Sequence, residues 1–167
     1  MAFWRHYYHL LWATTDRQPL ITPEIEQDLY DYITSKVLAQ QCLMHGMGGV
    51  DNHIHLVVSI PPKLAVSQFV GAIKGSSSHH VEHHLPDLEQ KFGWQRGYGS
   101  LTFGKKQLET VVQYVLNQKQ HHQHGTIITG MECDDDDDEG PQTLYQPPAN
   151  AKGFRVREDE AFDEYLV

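Results

Sequence analysis

Two histidines separated by one residue, His53 and His55, form the pattern with the clearest chemical content in the chain. They begin the run HIHLVVSI, whose aliphatic and β-branched residues are typical of a strand that ends before Pro61. Because strand side chains alternate between faces, the two imidazoles project from one face and Ile54 from the other. Two imidazoles held in this way can bind one divalent metal ion. A chain with 12 histidines can also contain such a pair by chance, so its meaning depends on what lies around it.

A second pattern pairs a phenol with an amide. Tyr114 and Gln118 are four residues apart in a segment, from Lys105 to about His124, whose apolar spacing predicts a single helix. Side chains at this separation lie on one helical face, so the Tyr114 hydroxyl could act as a nucleophile with an oxygen ligand from Gln118 beside it. From the residues alone, ordinary amphipathic packing of Tyr114 is the alternative.

The elements that must position these side chains alternate in type along the chain. The order β-α-β-β-α-β followed by a helix predicts an α+β fold of the ferredoxin-like, split βαβ kind. We expect an antiparallel sheet with two helices on one face and a C-terminal helix that bears the candidate nucleophile. The glycine-rich residues 46–49 are expected to weaken or distort the second strand. Strands are predicted at residues 3–15, 43–50, 53–60 and 97–103, and helices at 22–41, 66–85 and 105–124.

Charge divides the chain into two parts. Residues 1–130 carry 10 Lys or Arg and 10 Asp or Glu, whereas residues 131–167 carry 3 and 12, so the last part supplies the whole net charge of −9. We therefore predict a neutral, histidine-rich domain at 1–130 and an acidic, disordered tail at 131–167. The tail, which includes the block Asp134–Glu139, is either a solubilising extension or a DNA mimic that lowers non-specific binding.

Composition excludes several classes of protein. No stretch reaches the roughly 18 apolar residues that a membrane span needs, and Arg5, His6 and His9 make the N-terminal run a poor signal peptide. The two cysteines, Cys42 and Cys133, are far apart. This spacing excludes a disulfide scaffold and a cysteine zinc site, and it fits a reducing cytoplasm. We expect a cytoplasmic protein with no membrane partner.

Several segments, read together, resemble the single-tyrosine HUH transposases of small bacterial insertion sequences, a superfamily that includes the REP-associated tyrosine transposases. HUH denotes a histidine, a bulky hydrophobic residue and a histidine, here His53, Ile54 and His55. The resemblance covers about residues 5–124, and its motifs stand in the family's order and at its spacing. The segments are YYHLLWATTDRQPLIT (7–22), DNHIHLVVSIPP (51–62), IKGSSS (73–78), GWQRGYGSLTFG (93–104) and YVLNQ (114–118).

The resemblance implies a role for each matching residue. His53 and His55 match the metal-binding pair, and Gln118 matches the third protein ligand. Tyr114 matches the catalytic tyrosine, and the expected ion is Mg²⁺ or Mn²⁺. The enzyme so implied is a metal-dependent DNA transposase that binds single-stranded DNA hairpins as a homodimer. It cuts the strand through a 5′-phosphotyrosine and rejoins it to another 3′ end.

Basic side chains are the candidate contacts to DNA phosphates. Lys74 also matches a lysine in the family's second helix. The spread of these residues along the chain does not show whether they meet in space. We expect Lys74, Arg96, Lys105 and Lys106 to bind DNA, with Arg5, Arg17, Lys91 and Lys119 as further candidates.

Two further groups of histidines have simpler interpretations. His79 and His83, four apart on the second predicted helix, could bind zinc, but an exposed polar helix face is the preferred interpretation. His121, His122 and His124 suit the C-terminus of a helix, where cations are stabilised.

Three alternatives to transposition remain open. A domesticated relative would use the same chemistry on repeated hairpins without a mobile element. A non-catalytic protein would only bind DNA hairpins, although intact His53, His55 and Tyr114 argue against it. A metallohydrolase built on the histidine clusters would act without Tyr114.

Overall fold

The fold is built on one sheet. A computed structural model describes residues 3–84 and 90–133, and in this part of the chain four strands form an antiparallel sheet. The strands are β1 (Tyr7–Ala13), β2 (Leu43–Gly49), β3 (His53–Ser59) and β4 (Gly99–Phe103), in the spatial order β2-β3-β1-β4. The helices are α1 (Pro23–Ala39), α2 (Val66–His84), α3 (Leu108–Leu116) and α4 (Gln118–His124). The predicted ferredoxin-like arrangement is confirmed, with β1 and β3 at the centre of the sheet.

Alternation along the two central strands divides their side chains between two faces. Leu10 and Trp12 of β1 pair with Leu56 and Ile54 of β3, and all four lie in the main core. Helices α1 and α2 cover this face with apolar residues repeated at intervals of three and four, which places them on one side of each helix. The helical core residues are Ile25, Leu29, Ile33 and Val37 of α1 and Phe69, Val70, Ile73 and Val81 of α2.

Helix α3 covers the opposite face of the sheet through a smaller apolar cluster. Val57 of β3 packs with Tyr114 and Val115 of α3 in this cluster. Every residue of β3 is buried, because the strand has a helix layer on each side. The face under α3 is also the face from which His53 and His55 project, since they alternate with Ile54 and Leu56.

Glycines in β2 allow α3 to approach the sheet closely. At Gly48 a β-carbon would lie 2.1 Å from the carbonyl oxygen of Val115, which is impossible without movement of the backbone. At Gly46 it would lie 3.3 Å from the Val112 side chain. The backbone of α3 therefore rests on the backbone of β2. The expected distortion of this strand is present as a register shift between Met44 and Gly46.

The third predicted helix differs from the structure. Residues Lys105–Gln107 form a 3₁₀ turn, and α3 and α4 are separated at Asn117, whose φ and ψ of −101° and 20° are not helical. The Asn117 side chain donates a hydrogen bond to the carbonyl oxygen of Gln113 at 2.8 Å, so it competes with the backbone for that acceptor. No glycine or proline stands between residues 105 and 124 to mark this break, which is why the sequence predicted one helix.

Some expectations concern segments outside the described residues. They are the end of the second helix at Leu85 and almost all of the acidic tail, including Asp134–Glu139. Within residues 3–84 and 90–133, no helix is both long and apolar enough to cross a membrane.

The close approach at Gly48 predicts a specific cost of substitution. We expect Gly48→Ala to lower the free energy of unfolding by about 1–3 kcal/mol, because the added methyl group forces α3 away from β2. Urea unfolding measures this change. Gly71→Ala is the matched control, since a β-carbon there meets no atom within 4 Å and the residue is helical. Equal stability of the two variants would contradict the backbone contact.

Candidate metal centre and nucleophile

The two histidines of β3 are buried and oriented by neighbours. His53 is 2% exposed and His55 is fully buried. His53 donates from Nδ1 to the side-chain oxygen of Asn52 at 2.7 Å, because an amide oxygen can only accept. His55 Nδ1 is hydrogen bonded to Nε2 of His9 on β1 at 2.8 Å. Both rings are therefore held through Nδ1, which leaves each Nε2 directed away from these partners.

The candidate nucleophile and amide ligand stay on the same side of the sheet despite the helix break. Tyr114 near the end of α3 is 5% exposed, and Gln118 at the start of α4 is 1% exposed. The Tyr114 ring stacks on His121 of α4 and meets the His55 ring edge-on at a centroid distance of 6.3 Å. Tyr114 and the histidine pair are thus brought together as the sequence predicts, although their motifs are about 60 residues apart.

Glu132 is a residue of this site that the sequence analysis missed. Its Oε2 atom lies 3.3 Å from Nε2 of His53 and 3.3 Å from Nε2 of His55. Its Oε1 atom accepts a hydrogen bond from the Tyr114 hydroxyl. The backbone N–H of Ile128 donates to the same hydroxyl at 3.1 Å. One carboxylate therefore links the tyrosine to the histidine pair.

No local signal in the sequence identifies Glu132. It stands two residues before an acidic block, so composition alone places it in the acidic tail. The structure describes it as part of the segment that follows α4 and returns to the sheet.

Burial and hydrogen bonding set the protonation of the site. Burial lowers the pKa of His55, and burial together with His55 lowers the pKa of His9 to about 3. Burial opposes ionisation of Glu132, but the imidazoles of His53 and His55 beside it hold the pKa of its carboxyl well below the usual range. Burial and the hydrogen bond to Glu132 raise the pKa of Tyr114. At neutral pH, His9 and His55 are neutral, Glu132 is a carboxylate and Tyr114 is a protonated donor.

The donor atoms at this site fit a divalent cation. Nε2 of His53, Nε2 of His55 and Oε1 of Gln118 are buried with no hydrogen-bond partner in the part of the chain that the structure describes. Buried polar atoms without partners are costly, and a bound ion would satisfy them. Ligand atoms of His53, His122 and Glu132 also lie within 4.8 Å of one another. Imidazole and oxygen donors together suit Mn²⁺, and the oxygens suit Mg²⁺.

The predicted DNA contacts are distributed over the surface. Lys74 donates to the carbonyl oxygens of Gln95 and Gly97 at 2.8 and 2.6 Å, so its ammonium group holds the loop before β4. Arg96, Lys105 and Lys106 are exposed. DNA binding by these four residues stays a prediction.

A cleft of about 480 Å³ opens beside His53. Arg17 lines one side of it, and Lys119 and His122 of α4 line another. Lys119 also forms an ion pair with Glu26 of α1 at 2.6 Å, which fixes α4 against α1. Two of the further candidate phosphate contacts, Arg17 and Lys119, therefore share a cleft with His53, which Asp51 also lines.

The other histidines divide between structure and site. His80 of α2 forms an ion pair with Asp28 at 2.6 Å and stacks on Tyr32, so this face of α2 joins α1. His79 and His83 are exposed and contact each other. His122 differs from the interpretation as a helix-terminal cation alone, because its Nε2 lies 3.7 Å from Oε2 of Glu132.

Comparison with known proteins gives a consistent result. The family model described as IS200-like transposase matches residues 2–118. The transposase for insertion sequence element IS200 of Salmonella typhimurium is 29% identical over 137 residues, 75% of this chain and 85% of that protein. The ISDra2 transposase TnpA of Deinococcus radiodurans is 29% identical over 116 residues, 66% of this chain and 82% of that protein. A solved REP-associated tyrosine transposase bound to a REP hairpin shares the fold, with a TM-score of 0.55, 15% identity and 76% of each chain covered.

The hydrogen bond that His55 Nδ1 donates to His9 Nε2 predicts a loss of metal affinity when His9 is removed. We expect His9→Ala to weaken Mn²⁺ binding about 10–100-fold, the range for partners that orient a ligating imidazole. Calorimetric titration with Mn²⁺ measures the change. His9→Gln, which can still accept from His55 Nδ1, should recover part of the affinity. His45→Ala, which removes a histidine bonded to Ser59 at the far end of β3, is the control. An unchanged affinity in His9→Ala would show that His55 is oriented without it.

Proposed function

Because the chain belongs to the family of IS200-like transposases, we propose that it cuts and rejoins single-stranded DNA through Tyr114 with the help of a divalent metal ion. The observation that carries this proposal is the placement of one buried tyrosine hydroxyl beside two buried histidine nitrogens that lack partners among the described residues. A nucleophile and a set of metal ligands in contact are the minimum that covalent phosphodiester chemistry needs.

The residues fit roles in a transesterification. The Tyr114 oxygen forms a bond to phosphorus while the bond from phosphorus to the 3′ oxygen breaks. The phenol loses its proton and the departing 3′ oxygen gains one, so the products are a 5′-phosphotyrosine and a 3′ hydroxyl. A bound Mg²⁺ or Mn²⁺, held by His53, His55 and Gln118, would supply Lewis-acid stabilisation of the phosphate charge. Because the phosphotyrosine retains a phosphodiester-like bond, another 3′ hydroxyl can reverse the step and join new ends.

Single-stranded DNA that contains a hairpin is the proposed substrate. The structural relative with the same fold is described as bound to a REP hairpin, which supports this substrate class. The cleft beside His53 is lined by Arg17 and Lys119 together with one carboxylate, Asp51, so it offers two cationic side chains to the phosphates next to the cut. We further propose that the protein acts as a homodimer, as the family resemblance implies.

A second candidate function, binding of DNA hairpins without cleavage, predicts that the tyrosine is dispensable. The contact between the Tyr114 hydroxyl and Glu132 favours the enzyme, because a binding protein has no need to bury a phenol beside metal ligands. A domesticated enzyme that acts on repeated hairpins uses the same residues and differs in the DNA that surrounds its gene.

Covalent capture of DNA tests the nucleophile. We expect labelled single strands from both flanks of the gene to form a slower band on a denaturing gel with Mg²⁺ or Mn²⁺, because Tyr114 becomes joined to the 5′ phosphate. Tyr114→Phe should abolish the band and leave hairpin binding intact. His53→Ala with His55→Ala should abolish the band through loss of the metal. Cleavage without an adduct, retained in Tyr114→Phe, would instead identify a metallohydrolase.

Charge removal in the cleft tests the path of the strand. We expect Arg17→Ala and Lys119→Ala each to weaken binding of the hairpin strand about 3–10-fold and to lower the salt slope of the affinity by about one. Filter binding at several salt concentrations measures both. Lys63→Ala, which removes a charge bonded to Gln41 on another part of the surface, is the control. An equal loss of DNA affinity in all three variants would indicate non-specific electrostatic attraction and would contradict a defined path of the DNA strand through the cleft.

A further inference from the structure

We propose that Glu132 is itself a ligand of the divalent cation and that its second oxygen holds the Tyr114 hydroxyl beside that cation. This inference rests on the proposed function, because it concerns the same metal ion. It adds a charged ligand from a part of the chain that lies beyond the residues matched by the family model, which end at 118. The three ligands that the resemblance implies, His53, His55 and Gln118, carry no charge in the form that binds a metal.

Two distances from Glu132 are those expected between atoms that bind the same ion. Ligand atoms at about 2.1 Å from one cation are roughly 3.0–3.4 Å from each other at octahedral or tetrahedral angles. Oε2 of Glu132 lies 3.3 Å from Nε2 of His53 and at the same distance from Nε2 of His55. Neither Nε2 atom makes a well-aligned hydrogen bond with a described residue. The arrangement therefore has the separation expected of ligands and lacks the alignment expected of hydrogen bonds.

Glu132 is held in place by packing on both sides of it. Met131 packs in the apolar cluster of Val57, Tyr114 and Val115. The carbonyl oxygen of Cys133 lies so close to β4 that a β-carbon at Gly99 would come within 2.0 Å of it. The two neighbours in sequence are thus fixed against the sheet, and the carboxylate between them has little freedom to leave the site.

The second oxygen gives Glu132 a positioning role. Oε1 accepts from the Tyr114 hydroxyl while Oε2 faces the histidine pair. When Oε2 binds the cation, the Glu132 carboxylate bridges the cation and the Tyr114 hydroxyl, and so holds the nucleophilic oxygen near the metal. A phosphate that binds the same cation would then lie next to the tyrosine oxygen, and the Tyr114 side chain would not need to change its conformation.

Metal affinity measured without DNA tests the ligand role. We expect Glu132→Gln to weaken Mn²⁺ binding at least about tenfold, because the amide keeps the shape and loses the charge. Calorimetric titration or the electron paramagnetic resonance of free Mn²⁺ gives the affinity. Tyr114→Phe should bind Mn²⁺ as the unmodified protein does, since it removes the hydrogen bond and leaves the ligand. Glu109→Gln, on the exposed side of α3, is the matched control for charge. Thermal unfolding without metal checks that each variant is folded.

Kinetics at saturating Mn²⁺ test the positioning role. We expect Glu132→Ala to slow adduct formation at least about tenfold with unchanged hairpin affinity, a separation that a purely structural defect would not produce. Glu132→Gln, whose amide oxygen can still accept from Tyr114, should retain more of this rate than Glu132→Ala.

The outcomes separate this inference from the proposed function. Equal or tighter Mn²⁺ binding by Glu132→Gln, with normal binding by the unmodified protein, would overturn the ligand role alone and make Glu132 a competitor of the ion. Faster adduct formation in that variant would overturn the positioning role in the same way. An unmodified protein that binds no Mn²⁺ and forms no adduct would overturn both proposals.

Discussion

Burial of β3 on both faces is the constraint on which the rest of the structure depends. A strand covered on one side can leave polar residues in water on the other, but every residue of β3 is enclosed. Its alternate side chains therefore enter two separate interiors. Ile54 and Leu56 join the apolar core under α1 and α2, whereas His53 and His55 enter the layer under α3. Buried imidazoles need partners for their nitrogens: Asn52 and His9 meet the two Nδ1 atoms, and the two Nε2 atoms have no hydrogen-bond partner among the described residues and could bind a metal ion.

The sequence predicted the parts of the fold that depend on short repeats. The β-branched and aliphatic run after His53 predicted β3, and the spacing of Ile25, Leu29 and Ile33 predicted α1. Both patterns can be read from neighbouring residues alone. The sequence does not reveal the break at Asn117, because no glycine or proline marks it and the cause is one side chain that competes for a backbone acceptor. Strand β1 is shorter than predicted because aromatic residues favour strands wherever they occur, and only the residues opposite β3 and β4 are paired.

The candidate site was predictable where it depends on motifs and unpredictable where it depends on tertiary contacts. His53, His55, Tyr114 and Gln118 stand in recognisable segments, and the structure buries all four on the same side of the sheet. Glu132 stands in none, and His9 lies in one, residues 7–22, but the resemblance assigns it no role. His9 reaches His55 from the neighbouring strand, and Glu132 returns to the sheet after α4, so neither relation has a fixed spacing along the chain. One histidine among 12, or one glutamate next to an acidic block, belongs to no sequence motif that would mark it as part of a site.

The contact between Gly48 and the carbonyl oxygen of Val115 has a consequence for precision. The error in the location of a reacting atom grows with each rotatable bond between that atom and a rigid support. Where side chains separate a helix from a sheet, their rotamers contribute to this error. Here main chain meets main chain one residue away from Tyr114, so the support reaches the nucleophile without an intervening rotamer. The only torsions left to define the phenol oxygen are the two χ angles of the tyrosine itself.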